Sequence, residues 1–204
     1  MITNINFAEL NGISRLQIQL GNDTPLSDEA FFRFCQQNRT LKFEKTKERK
    51  IIAMTPTGLE TSGRNSDINL ELGIWNRQVQ YGKVFDSNGG FTLPDGSVLA
   101  PDAAVVSQQR WDALPQAERK KFGRLCPEFV IELKSEHDRV ATLQAKMQDW
   151  IHNGVQLGWL IDPEEEVVYI YQPQKAVIEV KGFDQKVSGD PVLPGFELDL
   201  SVLR

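Results

Sequence analysis

The stretch CPEFVIELKSEHD, residues 126–138, fixes the frame in which the remaining chain can be read. Phe129, Ile131 and Leu133 alternate as the apolar face of a strand, which puts Glu132 and Lys134 together on the opposite face, about 7 Å apart along it. Val130 is apolar on that second face too, so the strand reads as central in its sheet. A carboxylate and an ammonium in such a place need partners, because burying a charge without one is costly.

Two strong helical patterns flank this strand. Before it, SDINLELGIWNRQVQYG (66–82) repeats apolar residues at Ile68, Leu72, Trp75 and Val79, with Gly82 placed to stop the helix. After it, VATLQAKMQDWIHNG (140–154) carries Val140, Leu143, Met147 and Trp150/Ile151 on one stripe and ends at Asn153-Gly154. A shorter helix is predicted in PLSDEAFFRFCQQN (25–38), with Ser27 as N-cap, Asp28 and Glu29 in the first turn, and Phe31, Phe34 and Cys35 on one face. LKFEKTKERKIIAM (41–54) reads as a hairpin turning near Lys47. KVFDSN, GGFTL and SVLAPDAAVV read as strands, the last two joined by the turn at PDG, and a polar connection then leads to the opening strand. LGWLID, VVYIYQ and AVIEV close the chain as three short strands. Residues 1–24 form a polar arm with a short strand at RLQIQL, and 25–204 form one domain. The order of elements predicts a mixed α/β (α+β) fold, a sheet flanked by helices.

Bulk properties narrow the function. At 204 residues the chain holds one well-cored domain. No apolar run approaches the roughly 20 residues that span a bilayer, and the N-terminus MITNINFAEL lacks a signal peptide's basic start and apolar core, so a cytoplasmic protein is expected. Cys35 and Cys126 lack metal-ligand spacing and read as buried, reduced thiols. A net charge of −5 argues against coating nucleic acid by bulk electrostatics. It leaves room for local basic patches at Lys42, Lys45, Lys47, Arg49 and Lys50, or at Arg119, Lys120, Lys121 and Arg124, whose bland reading is a solvated surface.

Asp102, just after Pro101, stands at the entry of the strand in LAPDAAVV. If that strand neighbours VIELK, Asp102 and Glu132 converge. Two close carboxylates repel unless a hard cation neutralises them, and Mg²⁺ takes one or two protein carboxylates while leaving positions for water and phosphate. A lysine beside such a site positions the attacking water and steadies charge on phosphorus. Asp102, Glu132 and Lys134 therefore suit phosphodiester hydrolysis. The bland alternative is an exposed ion pair on a solvated face.

The longer blocks SDEAFFRFCQQN, FEKTKERKIIAMTPTG, NSDINLELGIWNRQ, VFDSNGGFTLPDGSVLAPDAAVVS, LCPEFVIELKS, LQAKMQDWIHNGVQLGWLIDP and LPGFELDL together resemble the Uma2 family, nuclease-fold proteins of the PD-(D/E)XK type described as restriction endonucleases. The likeness runs from Pro25 to Arg204. It implies a restriction-endonuclease-like fold and an endonuclease acting on DNA with Mg²⁺, for which Mn²⁺ substitutes. It places the family's proline-aspartate on Pro101-Asp102 and its E-x-K on Glu132-Leu133-Lys134. It further implies Glu44 as an accessory metal ligand beside Asp102 and Glu132, and Lys146 as a contact to substrate phosphate; Gln144, polar on the same helix and placed to return toward the strand ends, is a further candidate for that contact.

Two other readings remain beside the nuclease. One is a catalytically silent interaction protein on the same fold, and the other is a hydrolase of small nucleotide phosphodiesters. A homodimer is expected, since paired cuts on a duplex benefit from two sites. His137 reads as an exposed loop residue, Glu48 as part of a solvated turn, and Trp75, Trp150 and Trp159 as core. Ser62-Gly63-Arg64-Asn65 lacks the Lys-Ser/Thr ending of a phosphate loop.

Overall fold

The computed structural model describes residues 15–19 and 26–204; the rest of the expected arm lies outside the described residues. The chain runs through β1 (Arg15–Gln19), α1 (Asp28–Gln37), β2 (Lys42–Lys45), β3 (Lys50–Met54), α2 (Leu59–Val79), β4 (Gly82–Asp86), β5 (Phe91–Thr92), β6 (Val98–Leu99) and β7 (Ala103–Ser107). It continues through α3 (Gln108–Ala113), a 3₁₀ turn (Glu118–Lys120), β8 (Gly123–Arg124), β9 (Phe129–Leu133), α4 (Val140–His152) and β10 (Leu157–Asp162). The last elements are β11 (Val167–Tyr171), β12 (Ile178–Lys181), β13 (Lys186–Ser188), β14 (Glu197–Asp199) and a 3₁₀ turn (Leu200–Leu203).

Two six-stranded sheets and a small ribbon result. The principal sheet has the order β12-β11-β10-β9-β7-β4, with β9 and β10 parallel and the other pairs antiparallel. As expected, β9 is central, and all five of its residues are buried. Phe129, Ile131 and Leu133 face a core shared with Ile68, Leu72 and Trp75 of α2 and with Phe183, Phe196 and Leu198 near the C-terminus. Val130 and Leu160 face the opposite core, with Leu143, Met147 and Trp150 of α4. Both faces of the sheet are therefore covered, as a parallel pair requires.

The second sheet, β1-β3-β2-β6-β5-β8, packs α1 through Phe31 and Phe34 against Phe43, Ile51 and Ala53. Ser27 caps α1, its Oγ accepting the Ala30 N–H at 3.2 Å. The β2–β3 hairpin turns at residues 46–49, as predicted, with Arg49 at φ 64°.

Several local expectations change. SVLAPDAAVV is two strands in two different sheets, β6 and β7, because Pro101 cannot donate to a ladder and the chain crosses between sheets at Ala100-Pro101-Asp102. α2 begins at Leu59 rather than Ser66 and takes in Ser62-Gly63-Arg64-Asn65. Tertiary bonds hold this first half in place, for Arg64 Nε donates to the Leu203 carbonyl at 2.7 Å. The helix ends at Val79 with Gln80 left-handed at φ 53°, and Val79 is exposed. Gly82 opens β4 instead, bracketed by Asn76, whose Oδ1 accepts its N–H at 2.9 Å and whose Nδ2 donates to its carbonyl at 3.0 Å. The polar connection contains α3, and the C-terminus adds the β13–β14 ribbon.

Candidate active site

The crossing at Ala100-Pro101-Asp102 brings the acids together. β7 pairs with β9, and the Asp102 N–H donates to the Ile131 carbonyl at 3.0 Å. That fixes Asp102 beside the end of β9, where the Leu133 N–H donates to its Oδ2 at 2.8 Å. From α2, Asn65 Nδ2 donates to Asp102 Oδ1 at 3.3 Å and Asn69 Nδ2 to the Asp102 carbonyl at 3.2 Å.

Glu132 reaches the α4 side of β9, where the Trp150 indole N–H donates to its Oε1 at 2.8 Å. Lys146, four residues before Trp150 on α4, lies on the same helix face. Its Nζ stands 2.8 Å from Glu132 Oε1, 2.7 Å from Glu44 Oε1 and 3.1 Å from the Ala100 carbonyl. Glu44 arrives from β2 in the other sheet, its Oε1 accepting the Ala100 N–H at 3.1 Å. Glu44 and Glu132, from the two sheets, thus share one ammonium, and Asp102 lines the same cleft beside the end of β9.

Burial dominates the electrostatics of Glu132 and Asp102, and the Lys146 charge opposes it. Burial raises Glu132 from 4.5 to about 8; the Lys146 charge opposes this, and the Asp102 and Glu44 charges add to it. Burial also raises Asp102, against the Leu133 N–H and the Lys146 charge. Burial pushes Lys146 down, but Glu132 and Glu44 more than offset it, and the ammonium is held firmly charged.

Lys134 goes elsewhere. Its Nζ lies 2.6 Å from Glu164 Oε2 and 3.5 Å from Asp162 Oδ1, at the end of β10. Burial lowers its pKa, but these two acids more than offset that and raise it. The cause is the parallel β9–β10 pairing, which sets the end of β10 beside the end of β9. Lys134 still borders the same cleft as Glu44, Asp102, Glu132 and Lys146. That cleft, of about 1960 Å³, runs between the two sheets and also takes in Arg39, Lys42, Arg64 and His137. Gln144 sits half-buried on α4 and does not line it.

The donors suit a hard divalent cation. Three carboxylates against one ammonium leave two formal negative charges when all are ionised. Glu44 Oε2 and Asn65 Oδ1 are buried with no hydrogen-bond partner, so acceptors remain free at the site. As placed, the described residues contain no ready-made group of three or more His, Cys, Asp or Glu to hold a metal ion. Lys146 Nζ stands between Glu44 and Glu132 instead.

The supporting residues Asn65, Asn69, Trp150, Asp162 and Glu164 were not singled out by the sequence reading for these contacts. Asn65 and Asn69, spaced i and i+4, carried a signal only if the helix had been extended back to Leu59. At least four of the nine residues of the basic patches are held in ion pairs: Lys45 and Arg124 pair with Asp28 at 2.9 and 3.0 Å, Lys47 with Asp149 at 3.2 Å, and Lys121 with Glu29. Among the described residues no helix is long and apolar enough to cross a membrane. Cys35 and Cys126 are free, and burial pushes both thiols up to about 12.

A family model named Uma2, described as "Putative restriction endonuclease", matches residues 28–201. No curated protein matches. Among solved structures, a "putative nuclease belonging to DUF820 from Anabaena variabilis ATCC 29413" superposes with a TM-score of 0.67 at 22% identity, covering 79% of this chain and 88% of that one. At that identity the likeness speaks for the fold.

Proposed function

The chain belongs to the Uma2 family, and from that premise we propose that it is a divalent-cation-dependent endonuclease hydrolysing DNA phosphodiester bonds. The observation that supports this reading is that Glu44, Asp102, Glu132 and Lys146 line one cleft between the two sheets, with Lys146 bridging Glu44 and Glu132. The cleft supports a polymeric substrate over a small nucleotide, since pockets that enclose small ligands measure roughly 300–1,000 Å³ and this one is about 1960 Å³.

In this reading Asp102 and Glu132 hold Mg²⁺, or Mn²⁺ in its place, with Glu44 assisting. A bound divalent cation supplies an activated water and charge neutralisation at phosphorus. The chain's own groups do the positioning. The Leu133 N–H and Asn65 fix the Asp102 carboxylate, and the Trp150 indole fixes Glu132. Lys146 presents positive charge for the scissile phosphate beside Glu132. Lys134, held at the rim by Asp162 and Glu164, orients the attacking water.

The test is Mn²⁺ titration by calorimetry together with plasmid cleavage, comparing wild type and Asp102→Asn. The substituted side chain keeps an oxygen to accept the Leu133 N–H, and its amide group can donate to the unpaired Asn65 Oδ1. The variant is therefore expected to fold with wild-type stability to within about 1 kcal/mol, yet to lose cation binding and cleavage. Full cleavage by a folded Asp102→Asn protein refutes the assignment.

A further inference from the structure

α2 is apolar on two sides. Ile68, Leu72 and Trp75 are buried against the principal sheet, while Leu59, Leu70 and Ile74 stand 92%, 58% and 42% exposed. At about 100° per residue, Leu59, Gly63, Ser66, Leu70, Ile74 and Arg77 all project within some 40° of Leu70. They form one narrow stripe along the helix, which is about 30 Å long. We infer that this stripe is where two copies of the chain associate, α2 running antiparallel to its counterpart about a two-fold axis.

A second copy fits the stripe because the stripe is complementary to itself. A two-fold axis passing beside the helix, level with the step between Ile68 and Asn69, sets Ile74 opposite the partner's Gly63. A Cβ added at Gly63 meets nothing within 4 Å, so the surface there is open to a branched side chain. The same axis brings Arg77, in the last turn, level with the partner's Glu60, in the first turn, which projects about 80° from Leu70 at the edge of the contact and is reached by the long Arg77 side chain. An ion pair then forms at each end of the contact, each on the helix end whose dipole favours it. A parallel arrangement sets Glu60 against the partner's Glu60 and Arg77 against the partner's Arg77, so charge selects the antiparallel one. The existing Glu60–Arg64 contact is long, 3.7 Å, with Glu60 87% exposed, and is readily exchanged.

The stripe is continuous with the cleft, which Leu59, Glu60, Ser62 and Ser66 also border. Association along it lays the two clefts side by side as one groove. The dimer does not depend on the cleft's chemistry, and its test does not use cleavage.

The experiment is sedimentation equilibrium on the full chain, with circular dichroism as the folding control. Wild type is expected to be a dimer, and Leu70→Arg, at an exposed position, a folded monomer. Glu60→Arg and Arg77→Glu are each expected to weaken the dimer by about tenfold, and the double reversal to restore it. If Leu70→Arg fails to fold, the charge-reversal pair decides alone. A wild type that stays monomeric, a dimer that survives Leu70→Arg, or a double reversal that fails to restore association each overturns the inference.

Discussion

Lys146→Met removes the ammonium and keeps most of the aliphatic stem, so it isolates the charge. In the folded protein this nitrogen lies 2.7 Å from Glu44 and 2.8 Å from Glu132, and all three side chains are buried. At an effective dielectric near 20, each such pair, when ionised, is worth about 6 kcal/mol before desolvation. Removing one partner of a buried pair typically costs about 3–5 kcal/mol, because the remaining charge is uncompensated. For a chain of this size each kcal/mol moves the melting temperature by about 2–4 °C, so Lys146→Met is expected to melt roughly 6–20 °C below wild type without metal. Mn²⁺ should then raise the variant's melting temperature more than the wild type's, since the ammonium that competes with a cation for Glu44 and Glu132 is gone. Differential scanning fluorimetry at a fixed pH above about 8, where Glu132 is ionised, with and without Mn²⁺, reads both effects. A metal-free loss below about 1 kcal/mol refutes the view that this ion pair holds the site together.

Two other perturbations act on single residues. With its pKa raised from 4.5 to about 8, Glu132 binds a proton in the folded state that the unfolded state has released. Its contribution is therefore fully present below about pH 4.5 and is lost as pH rises toward 8, at up to about 1.4 kcal/mol per unit. Urea midpoints of the metal-free wild type should fall across that window, Glu132→Gln should flatten the trend, and parallel curves would count against it. Gly82→Ala places a Cβ 2.0 Å from the Val106 carbonyl oxygen and 2.6 Å from the Gln108 nitrogen. Both are backbone atoms that cannot swing aside, so a loss of at least about 2 kcal/mol is expected by thermal melting; a neutral result would mean that β4 shifts freely against β7.

The parts of the fold that the sequence made legible were those governed by local chemistry. Ser27 caps α1, the 41–54 hairpin turns where its charged residues cluster, and β9 carries the alternation of a central strand. Misplaced elements were decided by contacts distant in sequence. The first half of α2 contains Gly63 and two serines, a turn-like composition, and it is helical with Arg64 tied to Leu203 and Asn65 to Asp102. The site divides in the same way. Asp102 and Glu132 were readable from residue type and strand position, and Glu44 and Lys146 came through family resemblance. What alternation could not reveal is the exchange of lysines. Glu132 and Lys134 share a face along the strand, yet Lys134 is drawn to Asp162 and Glu164 across the parallel pairing, while α4 delivers Lys146 to Glu132.

The crossing at Ala100-Pro101-Asp102 makes the carboxylate cluster a mechanical joint. Glu44 belongs to one sheet, Asp102 and Glu132 to the other, and Ala100, on the bridge, hydrogen-bonds both Glu44 and Lys146. Any rotation of one sheet against the other therefore moves Glu44 relative to Glu132. The width of the cleft and the spacing of its carboxylates are thus geometrically tied, because Glu44 stands on one sheet and Asp102 and Glu132 on the other.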